Sequence, residues 1–149
     1  MPTRDFQSVL FVDDDPDIRS VVRATLCLVP GLNVQTADSG EQAIDHAYEF
    51  RPDLVLMEVT MPGLDGPSTL KRMRESALLA NIPVIFMTAN ILPAEISQFH
   101  LLGAIGVIVK PFDPLKLYSD LLVLWSNRDS AGQCSNSRDG LSKAQAEMH

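Results

Sequence analysis

The chain has 149 residues, 46% hydrophobic and 21% charged, and its 12 Lys and Arg against 19 Asp and Glu leave a formal net charge of -7. That is the length and composition of a single globular domain able to bury a core without cross-links. The acidic balance speaks against a nucleic-acid binder with a basic patch, and no apolar run approaches the roughly 20 residues of a membrane span. Cys27 and Cys134 show no metal-ligand spacing, and no secretory leader precedes them, which points to a reducing cytoplasm. Cys27 falls on the apolar stripe of the first predicted helix and is expected in the core.

In chain order, runs of strand length alternate with amphipathic stretches. Ser8–Val12 is the first strand, and Asp15-Pro16 then supplies an N-cap followed by proline at the first helical position. Pro30-Gly31 marks the stop before the second strand at Leu32–Ala37. Ser39, with Gln42 three residues on, forms a capping box for the second helix, which ends before Pro52. The third strand is Asp53–Glu58, and Gly66-Pro67 opens the third helix. The fourth strand is Pro83–Met87, with Pro93 and Glu95 in the first turn of a fourth helix that stops at Gly103. The fifth strand is Ile105–Val109, and Asp113-Pro114 opens the last helix. The strands are near-continuous apolar runs, as parallel strands covered on both faces require. Five βα units in about 120 residues favour an open, doubly wound α/β sheet, because a (β/α)8 barrel needs about twice that length.

From 128 onward the chain is rich in Ser, Gly and Asn and lacks apolar periodicity, so residues 128–149 are expected to be a disordered or frayed tail. Its charges cancel: Arg128, Arg138 and Lys143 against Asp129, Asp139 and Glu147. The whole excess of acid therefore belongs to the domain at 1–127.

In open α/β sheets, ligands bind beyond the carboxyl ends of the strands. Those ends carry Asp13, Asp14 and Asp15; Asp38 and Ser39; Glu58; Thr88 and Ala89; and Lys110 with Pro111. Each has a plain structural reading: aspartates before a helix serve as caps and dipole charges, a threonine after a strand makes a turn, and Lys-Pro makes a solvated loop. Their coincidence at successive strand ends points instead to a site. Neighbouring first and third strands would bring Asp13, Asp14 and Glu58 into one crevice, where a cation must offset their repulsion. A few hard oxygen ligands suit Mg2+. A cation, an ammonium and a hydroxyl together could surround a phosphoryl group.

The segments Val9–Pro16, Arg51–Gly66 with its Met-Pro-Gly-Leu-Asp-Gly loop, Ile82–Ala89, and Gly103-Ala104 through Lys110-Pro111-Phe112 resemble the receiver domain of bacterial two-component response regulators over about residues 6–126. The resemblance implies a flavodoxin-like three-layer sandwich of (βα)5 topology with parallel strand order 2-1-3-4-5. It implies that Asp13 and Asp14 hold Mg2+, with Asp14 the more direct ligand, and that the Thr60 carbonyl and position 58 complete the set. It also implies that Thr88, with Ala89 beside it, and Lys110 contact a phosphoryl group, and that the Lys110-Pro111 bond is cis.

Two positions depart from the family pattern. Glu58 stands where the family has the phospho-accepting aspartate, and its extra methylene adds a bond of about 1.5 Å, a displacement to which in-line transfer is sensitive. A glutamate there projects toward the phosphoryl position and toward Lys110 and Thr88, so it imitates activation, whether natural or introduced by design. Val107 stands at the position where the family commonly carries the switch Tyr or Phe. The expectation is therefore a stand-alone, non-enzymatic phosphorelay receiver with a blunted switch. It would act through protein contacts, either as a monomer or as a weak homodimer.

A histidine kinase or phosphotransfer protein would lie upstream. An unknown protein would dock downstream on the face of helix four, strand five and helix five, with neither nucleic acid nor membrane as partner. The serious rival is a phosphorylation-independent pseudo-receiver. A Mg2+-dependent small phosphohydrolase is remote, because the aspartates are adjacent rather than spaced Asp-x-Asp. A flavin module lacks a phosphate cradle in the first loop. His46 and His100 sit outside the acidic crevice, Asp65 reads as a turn residue, and Trp125 as a packing anchor.

Overall fold

The computed structural model describes residues 5–89 and 91–128. Five strands, β1 (Ser8–Val12), β2 (Asn33–Ala37), β3 (Leu54–Glu58), β4 (Val84–Thr88) and β5 (Ala104–Val109), alternate with five helices. The helices are α1 (Pro16–Leu26), α2 (Gly40–Phe50), α3 (Gly66–Glu75), α4 (Pro93–Leu102) and α5 (Pro114–Ser126). All strand pairs are parallel, in the order β2-β1-β3-β4-β5. Outside Arg128, the tail predicted at 128–149, Cys134 included, lies outside the described residues.

Alternate residues of the central strands point to opposite faces and build two cores. Leu10, Val12, Val55, Met57 and Phe86 pack with α2, α3 and α4 through Ala43, Leu70, Met73 and Phe99. Val9, Phe11, Leu56, Ile85 and Met87 pack with α1 and α5 through Val22, Leu26, Leu117 and Leu121. Burying each large apolar side chain contributes roughly 1.5–3 kcal/mol. Trp125 closes this second core, edge-on to Phe6 at 5.4 Å, with the Arg128 guanidinium 3.6 Å over its ring.

The helix starts follow from local chemistry. Asp15, Asp65 and Asp113 each accept a backbone N–H in the first turn of α1, α3 and α5. The predicted capping box of α2 forms on one arm only. Ser39 Oγ accepts from Gln42 N–H at 3.1 Å, but Gln42 Oε1 accepts from Asp38 N–H, one residue before the cap.

Two expectations are corrected. β2 is an edge strand whose polar Asn33 and Gln35 are exposed, so its burial alternates instead of running continuous like that of β3 and β4. Cys27 is exposed, because α1 ends at Leu26 and Cys27 caps it beyond the buried stripe.

Gly66 shows where backbone meets backbone. A Cβ there would lie 2.5 Å from the Glu58 carbonyl oxygen and 3.0 Å from the Phe86 ring. Gly66→Ala is expected to lower stability by about 2 kcal/mol through this overpacking. Urea unfolding would read it as a lower midpoint at unchanged slope; an unmoved midpoint would show that the loop gives way.

Candidate functional site: an acid pair bridged by a lysine

The carboxyl ends of β1, β3, β4 and β5 open side by side. Register pairs Val12 with Met57, Glu58 with Met87, and Thr88 with Val109. Asp13 follows β1, Glu58 and Thr88 end their strands, and Lys110 follows β5, so four separate segments end at one edge of the sheet, where the side chains of Asp13, Glu58 and Lys110 meet.

Asp13 and Glu58 are buried, at 1% and 7% exposure, which is costly for carboxylates without partners. Both have partners. Lys110 Nζ donates to Asp13 Oδ2 at 2.9 Å and to Glu58 Oε1 at 2.5 Å. The remaining oxygens are engaged as well: Asp13 Oδ1 accepts from Asp15 N–H at 3.0 Å, and Glu58 Oε2 accepts from Val59 and Thr60 N–H at 2.7 and 3.1 Å. The glutamate thus folds back over the start of the β3–α3 loop while still reaching the lysine.

Thr88 is buried at the end of β4, and its carbonyl accepts from Lys110 N–H at 2.9 Å, which ties β4 to the lysine backbone. The Lys110-Pro111 bond is cis. Asp14, Thr60 and Ala89 are exposed at the rim. Val107 is buried in the same apolar cluster as Phe86 and Phe99, whose rings pack 4.9 Å apart.

Burial raises the pKa of Asp13 above the ordinary carboxylate value, and the charge of Glu58 adds to the rise against the opposing pull of Asp15 N–H and Lys110. The folded chain therefore holds this proton to higher pH than the unfolded chain. Between the ordinary and the raised value, stability falls as pH rises. Burial alone would lower Lys110, but the hydrogen bonds and charges of Glu58 and Asp13 outweigh it and hold Lys110 above the ordinary lysine value. Its contribution is complete below the unfolded lysine pKa and is lost as pH climbs through the raised one.

Two contributors were not foreseen from the sequence. Arg19 Nη1 donates to the Asp13 carbonyl at 2.7 Å and pins the acidic loop; its place one helical turn after the Asp15 cap was the available signal. The Val59 and Thr60 amides leave no mark in side-chain chemistry.

The oxygens of Asp13, Asp14 and Glu58 are of the hard kind that Mg2+ takes. Those of Asp13 and Glu58 are already engaged, however, and among the described residues no three His, Cys, Asp or Glu side chains come together to hold a metal. This arrangement does not fit a divalent cation while Lys110 stays between the acids.

Beside the pocket, a groove of about 520 Å3 runs between β5 and α5, lined by Val107, Val109, Pro111, Phe112, Lys116 and Val123. Leu101 and Leu115 stand 87% and 91% exposed on α4 and α5. Among the described residues, no helix is long and apolar enough to cross a membrane.

The β2-β1-β3-β4-β5 sheet with a Lys-bridged acid pair at its carboxyl edge defines a flavodoxin-like signalling domain. Residues 9–122 match the response regulator receiver domain, and the chain belongs to that family. The chain is 32% identical to the chemotaxis response regulator CheY4 of Vibrio cholerae, with a TM-score of 0.73 over 78% of this chain and 97% of that one. It is 34% identical over 110 residues to the response regulator Rre1 of Synechocystis, covering 74% of this chain and 48% of that protein. It is 32% identical over 122 residues to the nitrate/nitrite response regulator NarL of Escherichia coli, covering 81% and 56%. The chain spans about half the length of the curated relatives it matches. Receiver domains are in general non-enzymatic modules that interact with histidine kinases or phosphotransfer proteins and typically bind Mg2+ at the phosphorylation site.

Proposed function

We propose that this chain is a cytoplasmic two-component receiver that signals through protein contacts, with its phosphoryl switch blunted at Glu58. The observation that carries the reading is the double engagement of Glu58, by Lys110 on one oxygen and by two backbone amides on the other. A carboxylate must present a lone pair in line with phosphorus to accept it. Here Glu58 takes the place of the family's phospho-accepting aspartate, and each of its oxygens is already held by a donor, Oε1 by Lys110 and Oε2 by two amides. Asp13, Asp14 and the Thr60 carbonyl are the groups that would hold Mg2+ if the lysine withdrew. Thr88, Ala89 and Lys110 are those that would meet a phosphoryl group.

Val107 supports the same reading. It has no ring to swing, and the aromatic packing on its side of the sheet comes from Phe86 and Phe99. The docking face is then α4, β5 and α5, where Leu101, Leu115 and Val123 are exposed. A histidine kinase or phosphotransfer protein is the upstream partner, and a protein ligand of that face lies downstream.

Incubation with acetyl phosphate and Mg2+, followed by intact mass, tests the reading. The expected result is no phosphoryl adduct. A stable single adduct that disappears in Glu58→Gln would contradict it.

A further inference from the structure

We infer that Lys110 is the resident cation of the acid pocket, and that the added methylene of Glu58 makes it so by closing the pocket to divalent cations. The inference deepens the reading of a blunted switch and rests on it. An ammonium donating to Asp13 Oδ2 and Glu58 Oε1 stands between the two carboxylates that a divalent cation would have to bridge. It supplies the positive charge that the buried acids require. Mg2+ demands near-octahedral geometry and sheds its waters reluctantly, so it competes poorly for oxygens that already hold short charge-assisted bonds.

Glu58 has the reach to bond the lysine with one oxygen and to accept the Val59 and Thr60 amides with the other. An aspartate in its place falls short by about 1.5 Å and cannot keep both engagements from the same backbone position. Asp14 is exposed, and each Asp13 oxygen already accepts one hydrogen bond, so a cation reaching Asp13 Oδ2 has to displace the ammonium. The pocket is then indifferent to Mg2+, and its conformation is set by the chain itself.

The test is a Mg2+ titration followed by the backbone amide shifts of Asp14 and Thr60, on the unaltered chain, Glu58→Asp and Lys110→Ala. Both variants are expected to reach half-saturation at least ten-fold lower in Mg2+ than the unaltered chain. Equal half-saturation in the unaltered chain and Glu58→Asp overturns the inference, as does a Lys110→Ala variant that binds no more tightly. Should Lys110→Ala fail to fold, the Glu58→Asp arm decides alone. Tight Mg2+ binding by the unaltered chain, with no adduct from acetyl phosphate, would overturn this inference and leave the blunted switch standing.

Discussion

Lys110→Ala is expected to lower the stability of the domain by about 3 kcal/mol, at the lower end of what breaking a buried ion pair costs. The reason is the position of the ammonium and not the number of its contacts. It bridges two carboxylates that are 1% and 7% exposed, and its own side chain is only 14% exposed. Removing it leaves two buried negative charges side by side, with only backbone amides to stabilise them. An exposed surface pair would cost less than about 1 kcal/mol, so magnitude alone separates the two situations. Urea unfolding in the presence of a chelator measures it, and a loss below 1 kcal/mol would mean that the pocket is wet and Lys110 dispensable. Adding Glu58→Gln to Lys110→Ala should recover a large part of the loss by removing one stranded charge.

Glu58→Asp is expected to convert an unresponsive pocket into one that responds to a phosphoryl mimic. Shortening the side chain breaks the contact with Lys110 or the pair of backbone bonds, and either frees an oxygen. Asp13 and Lys110 already share the pocket with it, and Thr88 ends the neighbouring strand β4. On the proposed reading the barrier to phosphoryl chemistry is one of placement, since displacements near 1 Å can cost on the order of 100-fold in rate. Recovered phosphorylation need not bring a recovered output. Val107 remains buried beside Phe86 and Phe99, so the β5 surface still lacks an aromatic ring that could change sides.

Most of the fold was legible because it rests on local signals. Prolines and caps at Asp15-Pro16 and Asp113-Pro114, and Gly66-Pro67, mark helix starts, and the apolar runs of β1, β3 and β4 fill both cores; Asp65, read as a turn residue, is the N-cap of α3. What the local pattern missed depends on neighbours. Whether β2 lies at an edge is a matter of strand order, and the burial of Cys27 turns on the last residue of α1.

The site was legible as a set of residues at strand ends, because doubly wound topology sends those ends to one edge. Its internal bonding was not. That Glu58 would divide its two oxygens between Lys110 and the backbone depends on the path of the β3–α3 loop. That path is held by the Gly66 N–H, which donates to the Val59 carbonyl at 2.8 Å, a bond between main-chain atoms.

On the proposed reading, the length of one side chain, at position 58, keeps this receiver from its phosphoryl switch. Titration with beryllofluoride and Mg2+, followed by amide NMR on the unaltered chain and on Glu58→Asp, addresses it most directly. The resonances around Asp13, Thr60, Thr88 and Lys110 are expected to stay unmoved in the unaltered chain and to show saturable shifts in Glu58→Asp. Saturable shifts of the same size in both chains, or in neither, would contradict it.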